Sequence, residues 1–319
     1  MVITSHCYGS HDPLALIGGG SKIAMPVFFF LSGLLVAQSL DHSSSKRSFL
    51  WKRALRLYPA VFLVILLSAC LIGPLITTLP AGTYFSHPLF FQYLRTCFVV
   101  QVYYFLPGVF QHSRLGPSVN ASLWSLSLEL KLYLALALSA FIPKKSRIPL
   151  TAMAILILFL IGTFFYSSAE IRLKDLFLAN FVLYPYTQLT IYFLTGNLCY
   201  YFRRNITICN YWLPIILITW WLGLHSPFSD LAAFLLIPAL VLFFSASQNK
   251  WIRSIIPKSD LSYGLYLWAF PIQQLVVNYL SPGDLSLRFF LIILFTTPIA
   301  FLSWNLVEKP ALQSKKRIK

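Results

Sequence analysis

Acidic side chains are scarce in this sequence: nine Asp and Glu in 319 residues, against 25 Lys and Arg. Charge of either sign is thin, at 11% of residues, while 58% are hydrophobic and the mean hydropathy is +0.72. A water-soluble domain of this length is excluded by that balance. The apolar runs are about 17–22 residues long, enough for ~30 Å of hydrocarbon, and there are many of them. The five cysteines (Cys7, Cys70, Cys97, Cys199 and Cys209) show no metal-ligand spacing and no CxxC pair. They read as small apolar fillers, and no metal is expected. A net charge of +16 would suggest nucleic acid in a soluble protein. Here the cations sit in short loops between apolar runs, which is topology control, so the expected partner is a lipid bilayer and not nucleic acid. No cleavable signal peptide is read, since the first residues lead directly into structure.

What is present is a series of spans. Met1 to Tyr8 reads as the tail of a helix whose front is absent, with His6 at its end, and residues 9–25 read as a loop around Gly18, Gly19 and Gly20. Full spans are predicted near 24–40, 57–79, 121–142, 149–166, 188–202, 211–225, 229–246, 262–280 and 287–306. Between the second and third lies 80–119, with Pro80, Pro88, Pro107, Pro117 and ten aromatics from Tyr84 to Phe110. That is too long and too apolar for an idle connection, so a non-cytoplasmic re-entrant or interfacial piece is expected there. If 41–56 is cytoplasmic and the sides alternate, eighteen Lys and Arg fall in cytoplasmic segments and six outside. The bias keeps its sign in every cytoplasmic loop, which puts the C-terminus in the cytoplasm. The fold class expected is all-α: a single polytopic membrane domain over 1–319, about ten transmembrane helices with the first truncated.

Four groups could carry chemistry. The stretch Asn120 to Tyr133, NASLWSLSLELKLY, places Ser122, Ser125, Glu129 and Tyr133 on one helical face. Burying the Glu129 carboxylate at membrane depth costs roughly 2.5–3.5 kcal/mol on insertion scales, so it should face protein or a wet cavity. A structural Glu satisfied by neighbouring hydroxyls and Lys131 is the plainer reading. Arg53 and Arg56 share a face at a helix start and suit phosphates, because guanidiniums offer forked donors and fixed charge; flanking cytoplasmic charge reads equally well. His6 has the pKa range of a general base, or is a packed structural residue. In SDLSYGLYLWAFPIQQ, residues 259–274, Pro271 interrupts a helix opened by Ser262, Tyr263 and Tyr266, and Gln273 and Gln274 follow it, as in a helix lining a cavity or one merely kinked.

Taken in order, His6, PVFFFLSGLLV at 26–36, the RxxRLYP of Arg53 to Pro59, NASLWSLSLELKLY at 120–133, YFLTGNLCYYF at 192–202, SYGLYLWAFPIQQ at 262–274 and SWNLVEKP at 303–310 resemble the acyltransferase 3 family. These are integral-membrane acyltransferases that O-acylate cell-surface glycans. The resemblance covers nearly the whole chain. It implies an O-acetyltransferase of the bacterial inner membrane that takes an acetyl group from cytoplasmic acetyl-CoA, the acyl-CoA donor, to a hydroxyl of a polysaccharide or O-antigen sugar. Carried over, His6 is the catalytic histidine, with Glu129 beside it. Arg53 and Arg56 grip the CoA phosphates, and Trp124, Ser125, Tyr133, Ser262, Tyr263 and Glu308 line or brace the cavity. In the family an arginine precedes this histidine by roughly one helical length, whereas only five residues precede His6; either the true start lies upstream of Met1, or the protein is degenerate with a truncated first helix. A membrane transporter or exporter of a glycan or small anion, and an inactive relic of the acyltransferase fold, are the alternatives.

Overall fold

The structure is a computed structural model that describes residues 20–171, 184–205, 212–224, 229–246, 260–280 and 283–314. Every described regular element is helical: α1 (Gly20–Asp41), α2 (Lys46–Leu67), α3 (Gly73–Ile76), α4 (Ala81–Ser86), α5 (Pro88–Arg95), α6 (Trp124–Ser139), α7 (Lys144–Ile171), α8 (Tyr184–Phe202), α9 (Trp212–Leu224), α10 (Ser229–Ala246), α11 (Ser262–Leu275), α12 (Leu285–Ser303) and α13 (Lys309–Gln313), with short π and 3₁₀ turns between some of them. Each of the nine predicted spans falls on a helix. The physical reason is that lipid offers no hydrogen bonds, so an apolar run must satisfy its backbone internally. Among the described residues, Ile23–Asp41, Lys46–Ile76, Ala121–Ser139 and Leu285–Gln313 are long and apolar enough to cross a membrane by length and composition. The chain is an integral membrane protein. Several boundaries differ from expectation: α1 begins at Gly20, inside the stretch 9–25 read as a loop, and α7 runs Lys144–Ile171 where 149–166 was expected. The cationic segment 41–56 is helical already from Lys46, earlier than the start expected near Arg53, because Lys, Arg, Leu and Ala are strong helix formers. The last span runs on through a π turn at Trp304–Glu308 into α13. The His6 segment lies outside the described residues.

The described residues form two compact units, one from Arg47–Tyr133 with the residues after 258, the other from 22–46 with Leu134–Pro257. In the first, α11 packs along α12, and the 3₁₀ turn Ala121–Leu123 packs on α11. Two prolines here vacate backbone carbonyls that side chains fill. Pro271 removes the N–H that would bond Leu267 O one turn back, and Asn120 Nδ2 donates to that oxygen at 2.9 Å. After α2 the helix widens to a π turn, Ser68–Ile72, in which Gly73 N–H donates to Ser68 O. The next carbonyl in that register, Ala69 O, faces Pro74, which has no N–H, and the Tyr84 hydroxyl donates to it at 2.8 Å. Gly73 is required at that spot: a Cβ would sit 1.9 Å from the Tyr84 hydroxyl.

Residues 80–119 hold α4, α5 and the turn Thr96–Phe98. Tyr84, Phe85 and Phe90 form an edge-to-face cluster with ring centroids 5.1–5.5 Å apart. Phe91, Phe98 and Phe105 remain exposed. Val99, a β-branched residue, is left-handed at φ 60° where it closes the turn Thr96–Phe98. Cys97 fits the filler reading: it is buried, which pushes its thiol up to about 11, whereas Cys70 is exposed.

In the second unit α7 packs along α8, and α9 along α10. The distinctive contact is between α1 and α8. A Cβ on Gly33 would lie 2.0 Å from Phe193 O, and one on Gly196 would lie 2.2 Å from Phe30 O. Each glycine thus lets the other helix's backbone approach, the small-residue packing expected where lipid tails are as apolar as side chains.

Candidate functional site: polar side chains joining α2, α6 and α11

The α6 face predicted from spacing is buried as a set. Ser122, Ser125, Glu129 and Tyr133 are each about 2–3% exposed. Their hydrogen bonds divide the face in two. Ser122 Oγ donates to Asn120 Oδ1 at 2.6 Å, and Ser125 Oγ shares a 2.6 Å bond with Tyr266 OH, which also donates to Ser122 O. Those serine bonds run to Asn120 and Tyr266. At the other end of the face the Tyr133 hydroxyl donates to Glu129 Oε1. The phenol meets the carboxylate, as a buried acid requires, and Lys131 stands exposed on the helix. Trp124 is half-buried at the first position of α6.

The arginines lie one helical turn apart on α2. Arg53 places its guanidinium 5.8 Å from the centre of the Tyr133 ring, and Arg56 does the same over Tyr263, also at 5.8 Å. Such stacking suits the flat guanidinium. The Tyr263 hydroxyl donates to Leu57 O at 2.9 Å, so α11 is pinned to α2 next to Arg56. Tyr263 lies within electrostatic reach of Glu129, Glu308, Tyr133 and Arg56. Structure therefore brings Arg53, Arg56, Glu129, Tyr133 and Tyr263 into one linked set.

Glu308 sits on the π turn after α12, 3% exposed, and accepts from Ser303 Oγ at 2.9 Å through Oε1. Oε1 is also 3.2 Å from where a Cβ on Gly264 would stand, so α11 carries a glycine where the carboxylate needs room. The Glu308 Oε2 atom is buried with no hydrogen-bond partner among the described residues.

At two positions left open between a cavity role and a structural one, the structure shows the hydrogen-bond partners. Ser262 Oγ donates to Asp260 Oδ1 at 2.6 Å, a bracing contact. Gln274, on the helix read as cavity-lining or merely kinked, is fully buried and fastens a loop. Its Nε2 donates to Gly116 O at 2.8 Å and Ser118 O at 2.7 Å, and its Oε1 accepts from Ser113. Polar atoms in an apolar helix must be satisfied, and a neighbouring loop serves as well as a wet cavity.

Asp260 was missed. Its Oδ2 accepts from Arg56 Nη2 at 2.5 Å. Burial raises its pKa, but the Ser262 bond and the Arg56 charge outweigh burial and hold the carboxyl below the usual aspartate value. The available signal was its rarity, one of nine acids, set two residues before a serine at a helix start.

Chemically, the set offers two cations for an anion's oxygens, a buried acid with its hydrogen-bonding phenol, and a second buried carboxylate. The acyltransferase domain family matches residues 1–305. An O-acetyl transferase of Shigella phage Sf6 is 28% identical over 97% of this chain and 91% of its own length. Nodulation protein 10 of Rhizobium leguminosarum bv. viciae is 26% identical over 92% of this chain and 83% of its own. No solved structure matches. With the family matched over nearly its full length, the chain belongs to the acyltransferase 3 family and is an acyltransferase.

Proposed function

We propose that this protein is an O-acetyltransferase that moves an acetyl group from acetyl-CoA, on the cytoplasmic side of a bacterial inner membrane, to a hydroxyl of a cell-surface polysaccharide or O-antigen sugar. The observation that carries the reading is the pairing of Arg53 and Arg56, one turn apart on a membrane helix, with the buried Glu129–Tyr133 pair of α6 within a family-wide match. A CoA donor carries phosphates, and rigid guanidiniums give them forked, charge-assisted bonds. The relative from phage Sf6, named an O-acetyl transferase, points to acetyl as the group and oxygen as its destination.

In this reading His6 acts as general base. It takes the proton of the acceptor hydroxyl as that oxygen attacks the thioester carbonyl; the carbon–sulfur bond breaks, and CoA leaves as the thiol with a proton returned from the histidine. Glu129, with Tyr133 on one oxygen, orients His6 or the acceptor in the central cavity. The exposed rings of Phe91, Phe98 and Phe105 are the candidate platform for the acceptor sugar, since apolar sugar faces stack on aromatic rings.

The test uses protein in nanodiscs with acetyl-CoA labelled in the acetyl group and total cell-surface glycan as acceptor. Label is expected in base-labile ester on carbohydrate, with His6→Ala reducing it by roughly a hundredfold or more. Unchanged transfer in His6→Ala removes the histidine's role. Absence of label in glycan, with solute flux across vesicles lacking donor, replaces the enzyme with a transporter.

A further inference from the structure

We propose that Asp260 is the positioning residue for Arg56: it fixes the guanidinium that receives the donor, so donor affinity depends on Asp260 although Asp260 does not touch the donor. The inference rests on the reading above that Arg56 holds the donor's phosphates.

The geometry is that of a braced arm. Arg56 Nη2 donates to Asp260 Oδ2 at 2.5 Å, while Ser262 Oγ holds the other carboxylate oxygen, Oδ1, at 2.6 Å. Both oxygens of Asp260 are thereby engaged, and the carboxylate cannot turn without losing a bond. The guanidinium is held on a second side by the Tyr263 ring, and Tyr263 is itself tied to Leu57 O, the residue after Arg56. A long arginine side chain loses rotamer freedom on binding an anion, and one already fixed loses less. Asp260 is the one hydrogen-bond partner of Arg56 among the described residues, so the N–H groups not aimed at it remain for an anion. The pair is partly exposed, with side chains 29% and 44% accessible, so an anion arriving from water can reach Arg56 without the pair opening. A pair serving the fold alone has little to offer here, because screening by water leaves such pairs with little net stability.

Acetyl-CoA binding to the full chain in detergent, followed by calorimetry, tests this with Asp260→Ala, Asp260→Asn, Asp260→Glu, Arg56→Ala and the double variant Asp260→Ala/Arg56→Ala. Asp260→Ala is expected to weaken binding roughly five- to tenfold, the scale of one lost charge-assisted contact acting indirectly. Asp260→Glu should restore binding to within about twofold, and the double variant should bind no more weakly than Arg56→Ala alone. A merely structural acid would give additive losses and a matching fall in melting temperature. If Asp260→Ala fails to fold, Asp260→Asn, which keeps the shape and loses the charge, carries the same expectation. Binding as tight as wild type or tighter in the Asp260 variants overturns the proposal and makes Asp260 a competitor for Arg56. Should Arg56→Ala bind as wild type does, the phosphate reading of Arg56 falls first and the role of Asp260 with it; loss in Arg56→Ala with none in Asp260→Ala sinks this inference alone.

Discussion

The two units are both built from apolar helices and are held in different ways. The unit containing α2, α6 and α11 is tied by polar side chains that reach vacated or neighbouring carbonyls: Asn120 to Leu267 O, Tyr84 to Ala69 O, Tyr263 to Leu57 O. The unit containing α1 and α8 is held mainly by shape, through Gly33 and Gly196 at a close helix crossing, with Tyr200 OH donating to Asp41 Oδ2 at 3.1 Å at one end and its one described ion pair, Lys144 with Asp41 at 2.6 Å, at the surface. Apolar packing alone can fix helices in lipid, so polar groups placed inside the first unit are free to serve chemistry as well as structure. That is where Glu129, Glu308 and the arginine pair are gathered.

The contrast can be broken most severely at Gly33. Valine there forces its Cβ against the Phe193 carbonyl, a backbone atom that cannot move aside. Overpacking of this kind costs about 1–3 kcal/mol or more. Gly33→Val should abolish the monodisperse peak in size-exclusion chromatography, and a variant that elutes and melts like wild type would remove the shape-held account of that unit. Next comes Asn120→Ala, which leaves Leu267 O buried without a donor. A loss of about 1–3 kcal/mol is expected, read as a lower midpoint in thermal unfolding. Smaller still, Lys144→Ala should change stability by less than about 1 kcal/mol and leave transfer activity intact, because exposed ion pairs contribute little. An effect as large as that of Asn120→Ala would erase the distinction between the units.

The smallest effect is one of pH. Asp260 has its carboxyl held below the ordinary aspartate value in the folded protein. A depressed pKa contributes stability that is present above the unfolded value and is lost as pH falls through the folded one. The Arg56–Asp260 pair should therefore contribute equally from pH 5 to 8 and fade only below about pH 4. Wild type should lose slightly more stability than Asp260→Asn over that acid range, measured by unfolding midpoints at successive pH. Equal slopes in the two proteins would detach Asp260 from Arg56.

Much of this was legible in the sequence because lipid simplifies the reading. A run of apolar residues in lipid must be helical, so helices could be placed from hydropathy, and four of the described ones are long and apolar enough to cross a membrane. The α6 face could be read from spacing because Ser122, Ser125, Glu129 and Tyr133 keep a helical period among leucines. Partnerships between distant segments were not legible. Nothing local says that Asn120 answers the proline 151 positions later, although the proline itself announces a missing N–H. Ser262 and Gln274 looked like cavity residues because a polar group in a membrane helix needs a partner, and the sequence does not say whether that partner is water, ligand or another part of the chain. Asp260 sits two residues before α11, in a stretch that reads as a connection, and gains meaning only when α2 brings Arg56 beside it.

The central claim is that the α2 arginines receive an acyl-CoA. Its most direct test is calorimetry of acetyl-CoA with the purified full chain and with Arg53→Ala/Arg56→Ala, both shown to be folded by their elution profiles. The account predicts saturable binding to wild type and a loss of at least roughly a hundredfold in the double variant, since each charge-assisted bond contributes about 1.5–3 kcal/mol. Equal affinity in the two proteins, or no binding to either while both remain folded, would contradict it.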